Sequence, residues 1–159
     1  MIPVRSILEI PGRLAVEVCQ GRLSRIGLRE EILHPADVGR DPVGSRAMSQ
    51  LEEYFRGERR EFDLPLDWEG MRAFQRKVLL QVYAIPYGEK RSYRWVAQRI
   101  GSPLGSRAVG RAIATNPLPF VIPCHRVIRA DGGLGGYYFG LRCKEQLLEM
   151  EARPVRDLA

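Results

Sequence analysis

The stretch Ser92-Tyr93-Arg94-Trp95-Val96-Ala97-Gln98-Arg99-Ile100-Gly101-Ser102-Pro103-Leu104-Gly105-Ser106-Arg107-Ala108-Val109-Gly110-Arg111-Ala112-Ile113-Ala114-Thr115-Asn116-Pro117 decides how this chain folds. Ser92 is a capping residue type, Val96 and Ile100 follow at helical spacing, and Gly101 can end that helix. Ser102-Pro103-Leu104-Gly105 turns the chain, and Ser106 can cap a second helix running to about Thr115. Two short helices across a tight turn predict a helix-turn-helix. Arg107 and Arg111, four residues apart, share a face of the second helix. The small residues Ala108, Gly110, Ala112 and Ala114 would let that helix approach a partner closely, which fits a recognition helix better than a core helix. Asn116-Pro117 halts it.

A few residues downstream lies Val121-Ile122-Pro123-Cys124-His125-Arg126-Val127-Ile128, which sets a thiol beside one of only two histidines in the chain. A cysteine attacks as its thiolate, whose free pKa of about 8.5 falls beside a histidine, a cation or a helix N-terminus. His125 and Arg126 could supply the first two. Pro123, at the first position of a helix, would place Cys124 in a first turn where the dipole favours an anion. Taken alone, a free cysteine is more often a small buried hydrophobe than a nucleophile.

Upstream, Phe74, Val78 and Val82 repeat at i, i+4 and i+8 and predict a helix stopped by Ile85-Pro86-Tyr87-Gly88. In the first half, Leu14, Val16 and Val18 alternate with polar or small residues, and Leu23, Ile26 and Leu28 follow Gln20-Gly21, which predicts a hairpin. His34 to Gly44 reads as a loop. Ser45 then caps a helix with Met48, Leu51 and Phe55 on one face and Gly57 at its end. Phe62, Leu64, Leu66 and Trp68 alternate as an edge strand leading to a boundary near residue 70. The expected organisation is an N-terminal α/β domain with linker over residues 1–70 and a C-terminal DNA-binding and active-site domain over 71–159.

The length of 159 residues and an apolar share of 45% suit a globular chain with one ordinary domain or two small ones. No apolar run is long enough for a secretory or membrane-spanning segment, so a cytosolic protein without a membrane partner is expected. Cys19, Cys124 and Cys143 are odd in number and lack zinc-site spacing, which argues against a disulfide framework or a metal site and leaves Cys19 and Cys143 as structural residues. Charge is uneven. Residues 1–67 carry 10 Arg and no Lys against 12 Asp+Glu, a balance of −2, while residues 68–159 carry 15 Lys+Arg against 7, a balance of +8. The basic half points to a polyanion, nucleic acid first, or to a solvated face.

At this point the chain resembles the O6-alkylguanine-DNA alkyltransferases. The resemblance rests on IPYGEKRSY (85–93), GSRAVGRAIATNPLPFVIPCHRVI (105–128), GLGGY (133–137) and a terminal helix containing Lys144-Glu145. It implies a mixed α/β fold, with a small ribonuclease-H-like N-terminal domain and a helical C-terminal domain holding a winged-helix-like helix-turn-helix. It also implies direct-reversal repair, in which the alkyl group of O6-alkylguanine in double-stranded DNA, and as a further candidate O4-alkylthymine, moves irreversibly to a cysteine. No cofactor or metal is implied, and a monomer is expected.

By motif position, the resemblance makes Cys124 the alkyl acceptor, His125 a base acting through water, and Glu145 the carboxylate that orients the imidazole. Tyr93 would donate to the departing base, backbone carbonyls of Cys124 and Val127 would accept from its amine, and the amide near Tyr138 would donate to O6. Asn116 would brace the turn beneath the cysteine. Arg107 would fill the space left by a flipped base while Ser106, Ala108 and Gly110 let the helix enter the minor groove, and Arg111 would contact phosphate or stand in solvent. Tyr138 and Phe139 stand where the family has small residues, so two aromatics would narrow the pocket, gate it or stack on the base. A lesion-binding protein that leaves the alkyl group in place is the alternative, and the presence of Cys124 argues against it. A sequence-reading regulator is a third reading, for which no sensor segment is evident.

Overall fold

The computed structural model describes residues 4–153. Its elements are β1 (Leu14–Cys19), β2 (Arg22–Leu28), α1 (Pro42–Phe55), α2 (Ala73–Tyr83), β3 (Arg91–Ser92), α3 (Tyr93–Arg99), α4 (Ser106–Ala114), β4 (Val127–Ile128) and α5 (Leu141–Ala152), with short 3-10 turns between them. Among the described residues the fold is mixed α/β, five helices with two small sheets.

The predicted hairpin forms. Gln20 and Gly21 both take positive φ, 51° and 75°, the conformation a two-residue turn needs to match strand twist. β1 pairs antiparallel with β2, with an irregularity after Glu17 that leaves Ser24 as the extra residue. The alternating segment around Leu66 does not become an edge strand. It meets β2 through a single parallel bridge, Leu23 with Leu66, because Pro65 has no amide to donate and only its carbonyl joins, at 2.7 Å from the Leu23 amide.

The cap of α1 lies four residues before the expected one. Asp41, not Ser45, accepts from the amides of Val43 and Gly44 at 2.9 Å, and Pro42 fills the first helical position where no amide is required. Of the predicted stripe Leu51 is fully buried while Met48 and Phe55 pack half-buried at its edge, and Ala47 and Tyr54 complete the buried face. In α2, Val78, Leu79 and Val82 are buried, whereas Phe74 is 43% exposed. Cys19, expected as structural, is exposed at the end of β1, and Cys143 is buried.

One hydrophobic core runs through both halves, from Leu14, Leu51 and Tyr54 to Val82, Val109, Ile122 and Leu147. The amide of Ile26 in β2 donates to the carbonyl of Pro117 at 2.8 Å, so the hairpin is stitched to the chain that follows α4. Among the described residues no helix is long and apolar enough to cross a membrane.

Candidate active site

The pair of short helices α3 and α4 supplies one wall. Ser92 caps α3 as predicted, its hydroxyl accepting from the Trp95 amide at 2.9 Å, and Gly101 ends the helix with φ 77°. Gly105, not Ser106, is the N-cap of α4, and Ser106 is its first residue. Val109, Ala112 and Ile113 turn inward, while Arg107 and Arg111 are exposed. Asn116 then does what a brace requires: its Nδ2 donates to the Ile122 carbonyl at 2.9 Å and its Oδ1 accepts from the Leu118 amide at 3.0 Å.

This brace leads directly to Cys124, which opens a single 3-10 turn, Cys124–Arg126, behind Pro123. Burial raises the Cys124 pKa above its ordinary value, opposed by the Asn116 side chain, the Lys144 charge and the amides of Cys124 and His125. The expectation of a depressed thiol is therefore corrected. A three-residue turn has little dipole, and Arg126 does not serve as the neighbouring cation. Its guanidinium is turned away onto Glu151, Nε to Oε2 at 2.8 Å and a terminal nitrogen to Oε1 at 2.9 Å, with a third bond to the Ile85 carbonyl at 2.7 Å. The cation that acts on Cys124 is Lys144, which is fully buried and bonded to the carbonyls of Val127, Leu134 and Gly136. Burial lowers its pKa to about 8.

His125 is fully buried, and its carboxylate partner is Glu151 at 2.8 Å from Nε2. Glu145, assigned that position from the sequence, is exposed. The reason is helical geometry. Cys143, Leu147 and Glu151 recur every four residues and form the buried stripe of α5, whereas Glu145 lies on the opposite side. Burial would raise the Glu151 pKa, but bonds from His125 and Arg126 outweigh it and hold it at about 2. Burial lowers the His125 pKa, with the Arg126 and Lys144 charges acting in the same direction, so the resting imidazole is neutral. With Nε2 facing a carboxylate, its proton sits there and Nδ1 is the basic nitrogen. Nδ1 is buried and has no hydrogen-bond partner among the described residues.

Cys124, Tyr93, Asn116, Ser106, Arg107, Gly110 and Tyr138 line one cleft of about 1040 Å³. Ala108 and Arg111 do not, because their side chains leave α4 on other faces. Tyr93 keeps its proton, since burial raises its pKa and a Cys124 thiolate would raise it further. Gly135 allows the ring to sit there. Its φ is 72°, and an added Cβ would lie 2.7 Å from the Tyr93 hydroxyl. The Val127 carbonyl is bonded to Lys144 and the Cys124 carbonyl accepts from the Val127 amide, leaving one lone pair on each. Tyr138 is 52% exposed at the rim, whereas Phe139 is buried against Phe120 with ring centroids 5.1 Å apart and does not enter the cleft.

A thiol with a buried histidine–carboxylate pair beside it, at the floor of a cleft walled by α4, is the arrangement of a protein that uses a cysteine as a nucleophile. The chain belongs to the O6-alkylguanine-DNA alkyltransferase family: residues 73–153 match the family model described as 6-O-methylguanine DNA methyltransferase, DNA binding domain. It is 51% identical over 156 residues, 96% of this chain and 94% of the other, to the methylated-DNA–protein-cysteine methyltransferase of Mycolicibacterium paratuberculosis. The protein of the same name from Mycobacterium leprae is 40% identical over 98% of this chain and 95% of its own. The crystal structure of Mycobacterium tuberculosis OGT in complex with DNA matches with a TM-score of 0.74 at 40% identity, covering 87% of this chain and 86% of that one.

Proposed function

We infer that this protein is a methylated-DNA–protein-cysteine S-methyltransferase that repairs O6-alkylguanine by moving the alkyl group irreversibly to Cys124. The observation that carries this reading is that Cys124 lines the same cleft as Arg107 and Tyr93 while His125, its neighbour in sequence, is bonded to the buried Glu151. The DNA complex of the tuberculosis relative supports DNA as the partner.

A stacked base cannot reach a buried thiol, so the damaged nucleotide is flipped out at a cost of a few kcal/mol. Arg107 on the exposed end of α4 fills its place. His125 Nδ1 takes the Cys124 proton through a water, and Lys144 stabilises the thiolate. Sγ attacks the alkyl carbon as the carbon–O6 bond breaks and its electron pair passes to guanine. The Tyr93 hydroxyl donates a hydrogen bond to the base as negative charge develops on it, and solvent supplies the proton that finally neutralises the guanine anion. The Tyr138 amide, which donates to no acceptor among the described residues, is free for O6. The removed thiol proton rests on the His125–Glu151 pair until solvent exchanges it. A thioether is not readily reversed, so each molecule acts once.

The same reading gives a ribonuclease-H-like unit over residues 1–70 and a winged-helix-like unit over 71–159, of which 1–3 and 154–159 lie outside the described residues. We place the protein in the cytosol as a monomer. Because Phe139 faces the core, the cleft has room for alkyl groups larger than methyl, and O4-alkylthymine offers the same carbon–oxygen bond.

Incubating the protein with a duplex carrying O6-methylguanine and counting unmodified guanine in the digested DNA tests the reading. One lesion restored per protein molecule, with no further turnover, is expected. Tight lesion binding with the methyl group still on the DNA would move the protein to the lesion-binding alternative.

A further inference from the structure

We propose that Arg25, on the N-terminal hairpin, clamps a DNA phosphate beside the extrahelical nucleotide, so that the acidic half of the chain also grips the substrate. This rests on the alkyl-transfer reading for the route the nucleotide takes. Arg25 lines the cleft together with Ile26 and Gly27 of β2, while Arg107 and Gly110 line it from α4. β2 does not float there. The Ile26 amide is bonded to the Pro117 carbonyl at 2.8 Å, one residue beyond the Asn116 brace, so the position of Arg25 relative to α4 and Cys124 is fixed by a backbone bond.

The guanidinium of Arg25 is also uncommitted. Its cross-strand neighbour is Glu17, but the Glu17 carboxylate accepts from the His34 amide at 3.2 Å, and Arg25 makes no hydrogen bond or ion pair among the described residues. Other arginines of this chain are paired nearby, Arg59 with Glu53 and Arg129 with Asp131. A planar fork of donors without a carboxylate, at the rim of a cleft, is suited to a phosphate. Around this cleft Arg25, Arg94, Arg107 and Arg129 face two carboxylates, Glu31 and Asp131, and Asp131 is already held by Arg129 and the Gly133 amide. When a base descends toward Cys124, its sugar and phosphate follow to the mouth of the cleft. Arg107 occupies the duplex side, and Arg25 stands on the hairpin side, where that phosphate arrives.

The test uses full-length protein with Arg25→Ala and Arg25→Glu. Binding to an O6-methylguanine duplex is measured over a series of salt concentrations in a Cys124→Ala background, which holds the lesion without transfer, and transfer is measured with Cys124 present from the same lesion duplex and from free O6-benzylguanine, which has no phosphate. Loss of one phosphate contact lowers the slope of log affinity against log salt by about 0.9. With Arg25→Ala we expect that change, roughly a five- to tenfold weaker duplex complex, slower repair of the duplex and an unchanged rate on the free base. Arg25→Glu should weaken the duplex complex further. An unchanged salt slope would overturn the proposal, and so would an equal loss on the free base, which would make Arg25 part of the pocket wall. Failure of the wild type to transfer anything, with the slope change still present, would overturn the alkyl-transfer reading and leave the phosphate contact standing.

Discussion

The hydroxyl of Tyr54, in α1, donates to Glu151 Oε1 at 2.7 Å, and the same oxygen lies 2.8 Å from His125 Nε2. Tyr54 is fully buried, and the charge on Glu151 together with burial raises its pKa well above the ordinary tyrosine value, so it remains a donor throughout the working pH range. The N-terminal half thus fixes the oxygen that orients the histidine. Tyr54→Phe removes one donor from a buried carboxylate, which costs about 1–3 kcal/mol and lowers the melting midpoint by roughly 2–10 °C. We expect a several-fold slower transfer in single-turnover assays with DNA affinity unchanged.

The two carboxylates of α5 separate cleanly. Glu151→Gln leaves the shape of the pair but takes away the charge that holds the His125 proton on Nε2, and transfer should fall by on the order of 10²-fold or more. Glu145→Gln changes an exposed side chain and should stay within about twofold of wild type. A single-turnover rate for each variant checks the assignment, and the reverse ranking would restore Glu145.

Acid should destabilise the protein through the same pair. Glu151 titrates at about 2 in the folded protein against an ordinary 4.5, and His125 titrates below its ordinary 6.5. Both bind protons more readily when unfolded, so the stability they contribute is present above those ordinary values. It is lost as pH falls, beginning below about 6.5 for His125 and continuing from 4.5 toward 2 for Glu151. Urea midpoints measured between pH 7 and 3 should decline steadily in the wild type. The part of that decline below pH 4.5 should be smaller in Glu151→Gln.

Gly135→Ala combines a strained backbone with a collision. Its φ of 72° disfavours any side chain, and the new Cβ would meet the Tyr93 hydroxyl and ring at 2.7 and 2.9 Å. We expect about 1–3 kcal/mol lower stability and a loss of transfer larger than that stability change alone would cause, because the hydrogen-bond donor is displaced. Gly136→Ala, with nothing within 4 Å, is the control and should retain activity.

Much of the site was legible because it is local. Ser92, the two short helices, Asn116-Pro117 and Cys124-His125 are consecutive, and capping and turn chemistry read them directly. What depends on contacts between distant segments was not. Tyr54 sits on the apolar stripe of α1, and its partner 97 residues away leaves no trace in that stripe. Glu151 did leave a signal, a carboxylate at the four-residue spacing of Cys143 and Leu147, where a lone charge would be costly. The family resemblance instead points by motif position to Glu145, which the helix turns to solvent. The fate of Arg126 was hidden for a similar reason, since adjacency to His125 suggested a cation for the thiol while the fold directs it to Glu151. Burial of Cys124 reversed the expected direction of its pKa, because desolvation by the surrounding core outweighs the three-residue turn.

The central claim is that Cys124 itself accepts the alkyl group. Intact mass after incubation with an O6-methylguanine duplex, followed by peptide mapping, tests it most directly. A gain of about 14 Da is expected, saturating at one per protein, confined to the peptide containing Cys124 and absent from Cys124→Ala, which should still bind the duplex. A methyl group mapped to Cys19 or Cys143, or transfer that persists in Cys124→Ala, would contradict it.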